Sequence, residues 1–111
     1  MAYNRVDAVV ETHVFTAALR RYLDDERYRQ LQIALMLRPE QGPVIKGSSG
    51  LRKVRWATAG GGKRGGLRVI YYWASNEQAF YMVYAYTKAE QDDLTPKQTR
   101  ELSRVVREEF K

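Results

Sequence analysis

LRVIYYWASNEQAFYMVYAY, residues 67–86, decides the fold. Two runs rich in aromatic and β-branched residues, Leu67–Ala74 and Gln78–Tyr86, flank a short turn signal at Ser75–Asn76. That is the pattern of an antiparallel hairpin. Upstream, LRKVRWA (51–57) is a third strand candidate, joined to the hairpin by the glycine-rich, doubly basic loop GGGKRGG (60–66). Three consecutive strands with short connections imply an antiparallel meander.

The flanking segments read as helices. Phe15, Ala18, Leu19, Tyr22 and Leu23 fall at i, i+3, i+4, i+7 and i+8, one apolar stripe of a short helix. Asp24 or Asp25 then caps a second helix, with Tyr28, Leu31, Ala34 and Leu35 on its buried face and Pro39 at its end. The two also fit one bent helical hairpin. Downstream, Thr95-Pro96-Lys97-Gln98 has the form of a capping box with proline at the first helical position. Leu102, Val105, Val106 and Phe110 give that closing helix its apolar face. With a short strand candidate at Asp7–Glu11, the expected architecture is a single α+β domain over residues 1–111. It has a small antiparallel sheet, two N-terminal helices and one C-terminal helix, with the helices packed on one sheet face.

At 111 residues the chain can bury one core. There is no cysteine, hence no disulfide and no thiolate metal site. No apolar stretch approaches the roughly 18–20 residues of a membrane span, and the N-terminus has no signal pattern, so a cytoplasmic, unprocessed protein is expected. The net charge of +6 is unevenly placed. Between Glu40 and Glu77 there is no acidic residue, yet Lys46, Arg52, Lys53, Arg55, Lys63, Arg64 and Arg68 fall there. That segment carries +7, while the other 12 basic and 13 acidic residues leave −1. Such a concentration reads as an anion-facing patch, best matched to a nucleic-acid backbone.

Strand alternation sharpens this reading. Lys53 and Arg55 point to one face, Val54 and Trp56 to the other. With Val54 and Trp56 in the core, the two cations lie side by side on an open face, and nothing acidic nearby in sequence neutralises them. Lys63 and Arg64 in the loop, and Arg68 on the next strand, extend the patch. Gly60, Gly62 and Gly65 satisfy G-x-G-x-x-G, but a strand follows rather than a helix, which excludes dinucleotide binding. A Walker A loop fails because Arg64 follows Lys63 where Ser or Thr is required. His13 is the only histidine, so neither a two-histidine ribonuclease mechanism nor a histidine-rich metal site is available. Glu90, Asp92 and Asp93 fit turn chemistry and the dipole of the following helix better than a metal site. Of the strand aromatics, one or two are expected to remain available for stacking on an unpaired base.

GLRKVRW, GKRGGLRVIYYW and YAYTKAEQDDLT, in this order and spacing, resemble the RelE/ParE superfamily of toxin–antitoxin toxins. The HigB-like branch is the nearest, and FTAALRRYLDDERYRQLQIALMLRPEQGPVIKG fits it too. The similarity runs from about residue 9 to residue 98. It implies an mRNA interferase: a small endoribonuclease without cofactor, acting on messenger RNA in the ribosomal A site. It also implies neutralisation by an antitoxin, HigA-like, encoded beside it. The family's basic strand pair falls on Lys53 and Arg55, and its arginine after the loop on Arg68. Lys63 and Arg64 match the branch's basic loop, and Lys88 the basic position after the last strand. Ala89 and Thr95 stand where RelE-type enzymes carry a second arginine and a catalytic tyrosine. Tyr84 and Tyr86 are the substitutes this chain offers for RNA contact. In this reading Arg55 and Arg68 stabilise charge on the phosphate, and Lys53 serves as acid or base, its proton loosened by neighbouring cations.

Overall fold

The computed structural model describes residues 3–6, 9–57 and 66–110, with side chains from residue 9 onward. Strands β1 (Tyr3–Val6), β2 (Val9–Thr12), β3 (Arg52–Trp56), β4 (Leu67–Ala74) and β5 (Ala79–Thr87) form one sheet in the order β1-β2-β5-β4-β3. Helices α1 (His13–Tyr22) and α2 (Asp25–Leu37) separate β2 from β3, and α3 (Pro96–Val105) follows β5. Residues Val106–Phe110 continue α3 as a π-helical turn. The meander of β3, β4 and β5 is antiparallel as expected. The sheet as a whole is mixed, because β2 pairs in parallel with β5. That pairing, and β1 beside it, join segments whose partners are distant or short.

Local chemistry explains the helix starts. Thr12 caps α1: its Oγ1 accepts from the Phe15 N–H at 3.0 Å and donates to the Val83 carbonyl at 3.0 Å. The cap therefore pins the helix start to β5. Asp24 caps α2 by accepting from the Arg27 N–H, and the first-turn Asp25 and Glu26 complement the helix dipole. Two separate helices result, not one bent helix. At α3 both halves of the capping box form, with Thr95 accepting from Gln98 N–H and Gln98 accepting from Thr95 N–H.

The helices do not share one sheet face. Phe15, Ala18, Leu19, Leu31 and Leu35 pack with Val54, Leu67, Val69, Tyr71 and Met82 in one core. Val106 and Phe110, with Leu102 and Val105, pack against Leu51, Ile70, Val83 and Tyr86 in a second. These sets alternate along β4, so α1 and α2 cover one face and α3 the other. The reason is visible in β4 itself, where Leu67 to Tyr71 are all buried. A strand apolar on both sides has to be covered on both sides.

One loop approach fixes the sheet edge. Gly42 lies so close to β3 that a Cβ there would stand 2.8 Å from the Lys53 carbonyl oxygen. The Gly42 N–H donates to the Tyr71 hydroxyl at 3.1 Å, and that hydroxyl donates to the Pro39 carbonyl at 2.7 Å. The Lys53 N–H donates to the Pro43 carbonyl at 3.1 Å and the Ile45 N–H to the Leu51 carbonyl at 2.8 Å. The edge of β3 is thereby partly closed by residues 42–45.

Candidate functional site

Register places the basic residues. Arg55 sits opposite Arg68, and Arg68 opposite Tyr86. One rung further along, Lys53 sits opposite Ile70, and Ile70 opposite Tyr84. Facing residues of paired strands share a sheet face, so Lys53, Arg55, Arg68, Tyr84 and Tyr86 lie on one surface, the one α3 partly covers. Lys88 is exposed, two residues beyond Tyr86 at the same end of the sheet. Lys63 and Arg64 lie outside the described residues.

The surface is less open than the alternation alone implies. Arg55 is exposed, but Arg68 is only 4% exposed, and its guanidinium donates to the Gly66 carbonyl at 2.8 Å. Among the described residues neither arginine has a carboxylate partner. Like charges directly opposite one another destabilise a sheet, so this rung is a poor choice for stability alone.

Lys53 does have an acidic partner, contrary to the expectation from its neighbours in sequence. Its Nζ lies 3.3 Å from Asp93 Oδ1. The same oxygen accepts from the Tyr86 hydroxyl at 3.3 Å and the Leu94 N–H at 2.8 Å. The Leu94 N–H, with Lys53 and Tyr86 adding to it, holds the Asp93 carboxyl below its ordinary value. Asp93 does perform turn chemistry, and it also reaches back to the basic strand. Lys53 is therefore not surrounded by cations alone. Arg52, on the opposite side of the strand, is tied to Glu40 Oε2 at 3.1 Å and to the Glu40 and Gly42 carbonyls.

The two tyrosines separate. Tyr86 is buried, only 1% exposed, and its ring packs among Ile70, Val83 and Val106. It cannot stack on a base. Burial, reinforced by the Asp93 carboxylate, pushes its phenol up to about 12, so at neutral pH it is a proton donor and not a base. Tyr84 is half-buried and its hydroxyl accepts from Gln98 Nε2 at 3.4 Å. Thr95 is occupied as the cap of α3. A groove of about 600 Å³ runs beside the site between residues 41–46 and β3, with Lys46, Lys53, Arg55 and Asp93 on its walls. Lys46, one of seven cations in the basic segment, thus gains a place on the groove wall, and Asp93 a link to Lys53 that the sequence does not announce. No short-range signal links residues 40 positions apart.

A mixed sheet with α1 and α2 on one side, α3 on the other and a pair of facing arginines at one end defines a small α+β protein with a basic sheet end. The family model described as the RelE toxin of the RelE/RelB toxin–antitoxin system matches residues 14–110, and the chain belongs to that family. It is thus a toxin of a toxin–antitoxin pair, with a cognate antitoxin as its partner. Toxins of this family are generally endoribonucleases that cleave messenger RNA. No helix is long and apolar enough to cross a membrane among the described residues.

Proposed function

We propose that this toxin cleaves messenger RNA in the ribosomal A site, that it belongs to the HigB-like branch, and that a HigA-like antitoxin encoded beside it is its inhibitor. The observation that carries the reading is the Arg55–Arg68 rung, two guanidinium groups on one surface with no carboxylate of the described residues to neutralise them. The reaction is the attack of an RNA 2′-hydroxyl on the adjacent phosphorus. The new P–O2′ bond forms as the P–O5′ bond breaks, leaving a 2′,3′-cyclic phosphate and a 5′-hydroxyl. The 2′-hydroxyl proton leaves to water.

Arg55 and Arg68 stabilise the charge that builds on the non-bridging oxygens, which a guanidinium fork matches geometrically. Lys53, paired with Asp93, is a proton donor for the departing 5′ oxygen. Lys63, Arg64 and Lys88 hold the flanking backbone, and Tyr84 lines the approach. Without a histidine near the rung, the enzyme relies on a partner to arrange the substrate, which supports dependence on the ribosome.

The test is induction in cells followed by mapping of message 5′ ends. Breaks in reading frame that vanish when translation is blocked are expected, and they disappear with Arg68→Met. Intact messages with broken DNA would instead indicate a gyrase poison, and neither lesion a binding module without chemistry.

A further inference from the structure

Three grooves adjoin along one side of the molecule. The one beside β3 shares Lys46 and Asp93 with a second, of about 470 Å³, that reaches Arg100 on α3. The second shares Arg100 with a third, of about 410 Å³, that continues over Lys97, Arg104 and Arg107. The three grooves thus lie in series from Lys53 and Arg55 past Lys46 to the exposed side of the closing helix, each sharing at least one wall residue with the next.

That side is cationic by construction. Lys97, Arg100, Arg104 and Arg107 recur at i, i+3, i+7 and i+10, a spacing that keeps them on one helix face. All four are exposed, while Leu102, Val105 and Val106 pack toward the second core. Among the described residues Lys97, Arg100 and Arg104 enter no ion pair. Arg107 is tethered, donating to Ser103 Oγ at 2.6 Å and to Ser49 Oγ at 3.1 Å. Among the described residues Glu101 is the one carboxylate that lines the third groove. A segmental charge count hides this stripe, because Asp92 and Asp93 precede it and Glu108 and Glu109 follow it.

We infer that this α3 stripe binds the sugar–phosphate backbone of the same RNA strand whose scissile phosphate meets Arg55 and Arg68, several nucleotides away from the cut. The inference rests on the nuclease reading above and extends it to a substrate-binding track. Two observations select RNA over an acidic protein segment. The series of grooves starts at the cationic rung, with Arg55 on the wall of the first, and among the described residues the third groove is lined only by charged side chains. Protein interfaces need apolar or aromatic anchors at their centre, whereas nucleic-acid interfaces are polar and strongly positive. The stripe is about 15 Å long at ~1.5 Å per residue, enough for about three phosphates of an extended single strand.

The experiment measures binding of uncleavable 2′-O-methyl RNA of 4 and 15 nucleotides, by fluorescence anisotropy across a salt series. Wild-type toxin is compared with K97A/R100A/R104A, three exposed helix positions at which alanine preserves folding, as thermal melts will verify. The expected result is a loss of tenfold or more in affinity for the 15-mer, with 4-mer binding unchanged within twofold. The log–log salt slope for the 15-mer should fall by about 2, since each single-strand phosphate contact contributes ~0.7. Equal effects on both lengths, no effect on either, or no measurable 15-mer binding by the wild type overturns the inference. So does a variant that binds RNA normally but loses ribosomes or antitoxin, which would assign the stripe to ribosomal RNA or to an acidic protein segment. Because binding is read on RNA that cannot be cut, a toxin that fails to cleave messages in cells sinks the nuclease reading without altering this result.

Discussion

Asp93 Oδ1 lies 3.3 Å from the Lys53 ammonium, 40 residues away along the chain, so the basic strand carries an anion of its own at the place the proposed RNA phosphate would approach. Asp93→Asn removes that competitor. Affinity for uncleavable RNA is expected to rise by about two- to fivefold, the equivalent of ~0.5–1 kcal/mol for an exposed charge pair. Weaker binding would mean that Asp93 orients Lys53 for RNA instead of competing for it. The stability effect has a definite sign. Asp93's carboxyl is depressed below its ordinary 3.8, first by the Leu94 N–H. Its contribution is therefore present at neutral pH and fades as pH falls through the depressed folded value. With the Asp93 side chain 65% exposed, the wild type and Asp93→Asn should differ by less than ~1 kcal/mol at pH 7, and the gap should close in acid.

Arg68 separates stability from activity. It is a buried cation facing another cation, with a backbone carbonyl as its hydrogen-bond partner. Removing a buried charge that has no ionic partner relieves the cost of keeping that charge out of water. Arg68→Met should therefore melt at the same temperature as the wild type or higher, yet lose message cleavage by ~10²-fold or more. Arg68→Lys is expected to rescue little, because an ammonium cannot present the planar fork. A variant that unfolds would show that Arg68 is held for structure.

The features legible in the sequence are those made by residues close together along the chain. Thr95-Pro96-Lys97-Gln98 announced α3 because a capping box is made within four residues. The apolar stripe from Phe15 to Leu23 announced α1 for the same reason. Leu67–Ala74 matches β4 residue for residue. What escaped depends on contacts that neighbours in sequence cannot encode. The parallel pairing of β2 with β5 crosses some seventy residues, as in Val9 opposite Phe80. The approach of Asp93 to Lys53 crosses 40. The burial of Tyr86 is not legible because a strand pattern says which side a ring faces but not what covers that side, and here the closing helical segment covers it. One signal for this was present: LRVIYY is nearly continuous in apolar residues, the mark of a strand buried on both faces.

Gly42 is expected to be intolerant of any side chain. A Cβ there meets the Lys53 carbonyl oxygen at 2.8 Å, and the neighbouring Lys53 N–H to Pro43 bond leaves the loop little freedom to retreat. Gly42→Ala should destabilise by about 1–3 kcal/mol in chemical denaturation, the range of other overpacking substitutions. Because the displaced edge carries Lys53, RNA binding should fall as well. An alanine variant with wild-type stability would show that residues 42–45 do not close the β3 edge this tightly.

Alkaline titration tests the buried phenols. Burial first, and then the Glu11 carboxylate, hold the Tyr28 hydroxyl far above its usual value of 10.0, and burial with Asp93 pushes Tyr86 to about 12. The folded chain thus keeps protons that the unfolded chain releases near 10. Stability is unaffected below that pH and declines as pH rises above it. Spectrophotometric titration should show a late tyrosinate component that merges with the normal one in denaturant, and Tyr28→Phe and Tyr86→Phe should each shrink it.

Thr95 decides whether the α3 cap has any part in catalysis. Its side chain accepts the Gln98 N–H at 3.1 Å, while Gln98 Oε1 accepts the Thr95 N–H at 2.9 Å. Both groups are engaged in starting the helix that carries Lys97, Arg100 and Arg104. Thr95→Ala should cost about 1 kcal/mol in stability, whereas Thr95→Ser, which keeps the oxygen, should cost less. Cleavage per folded molecule should stay the same in both variants when measured well below the melting temperature. A drop in turnover by Thr95→Ala that serine restores, without a matching loss of stability, would move the hydroxyl from the helix cap into the chemistry.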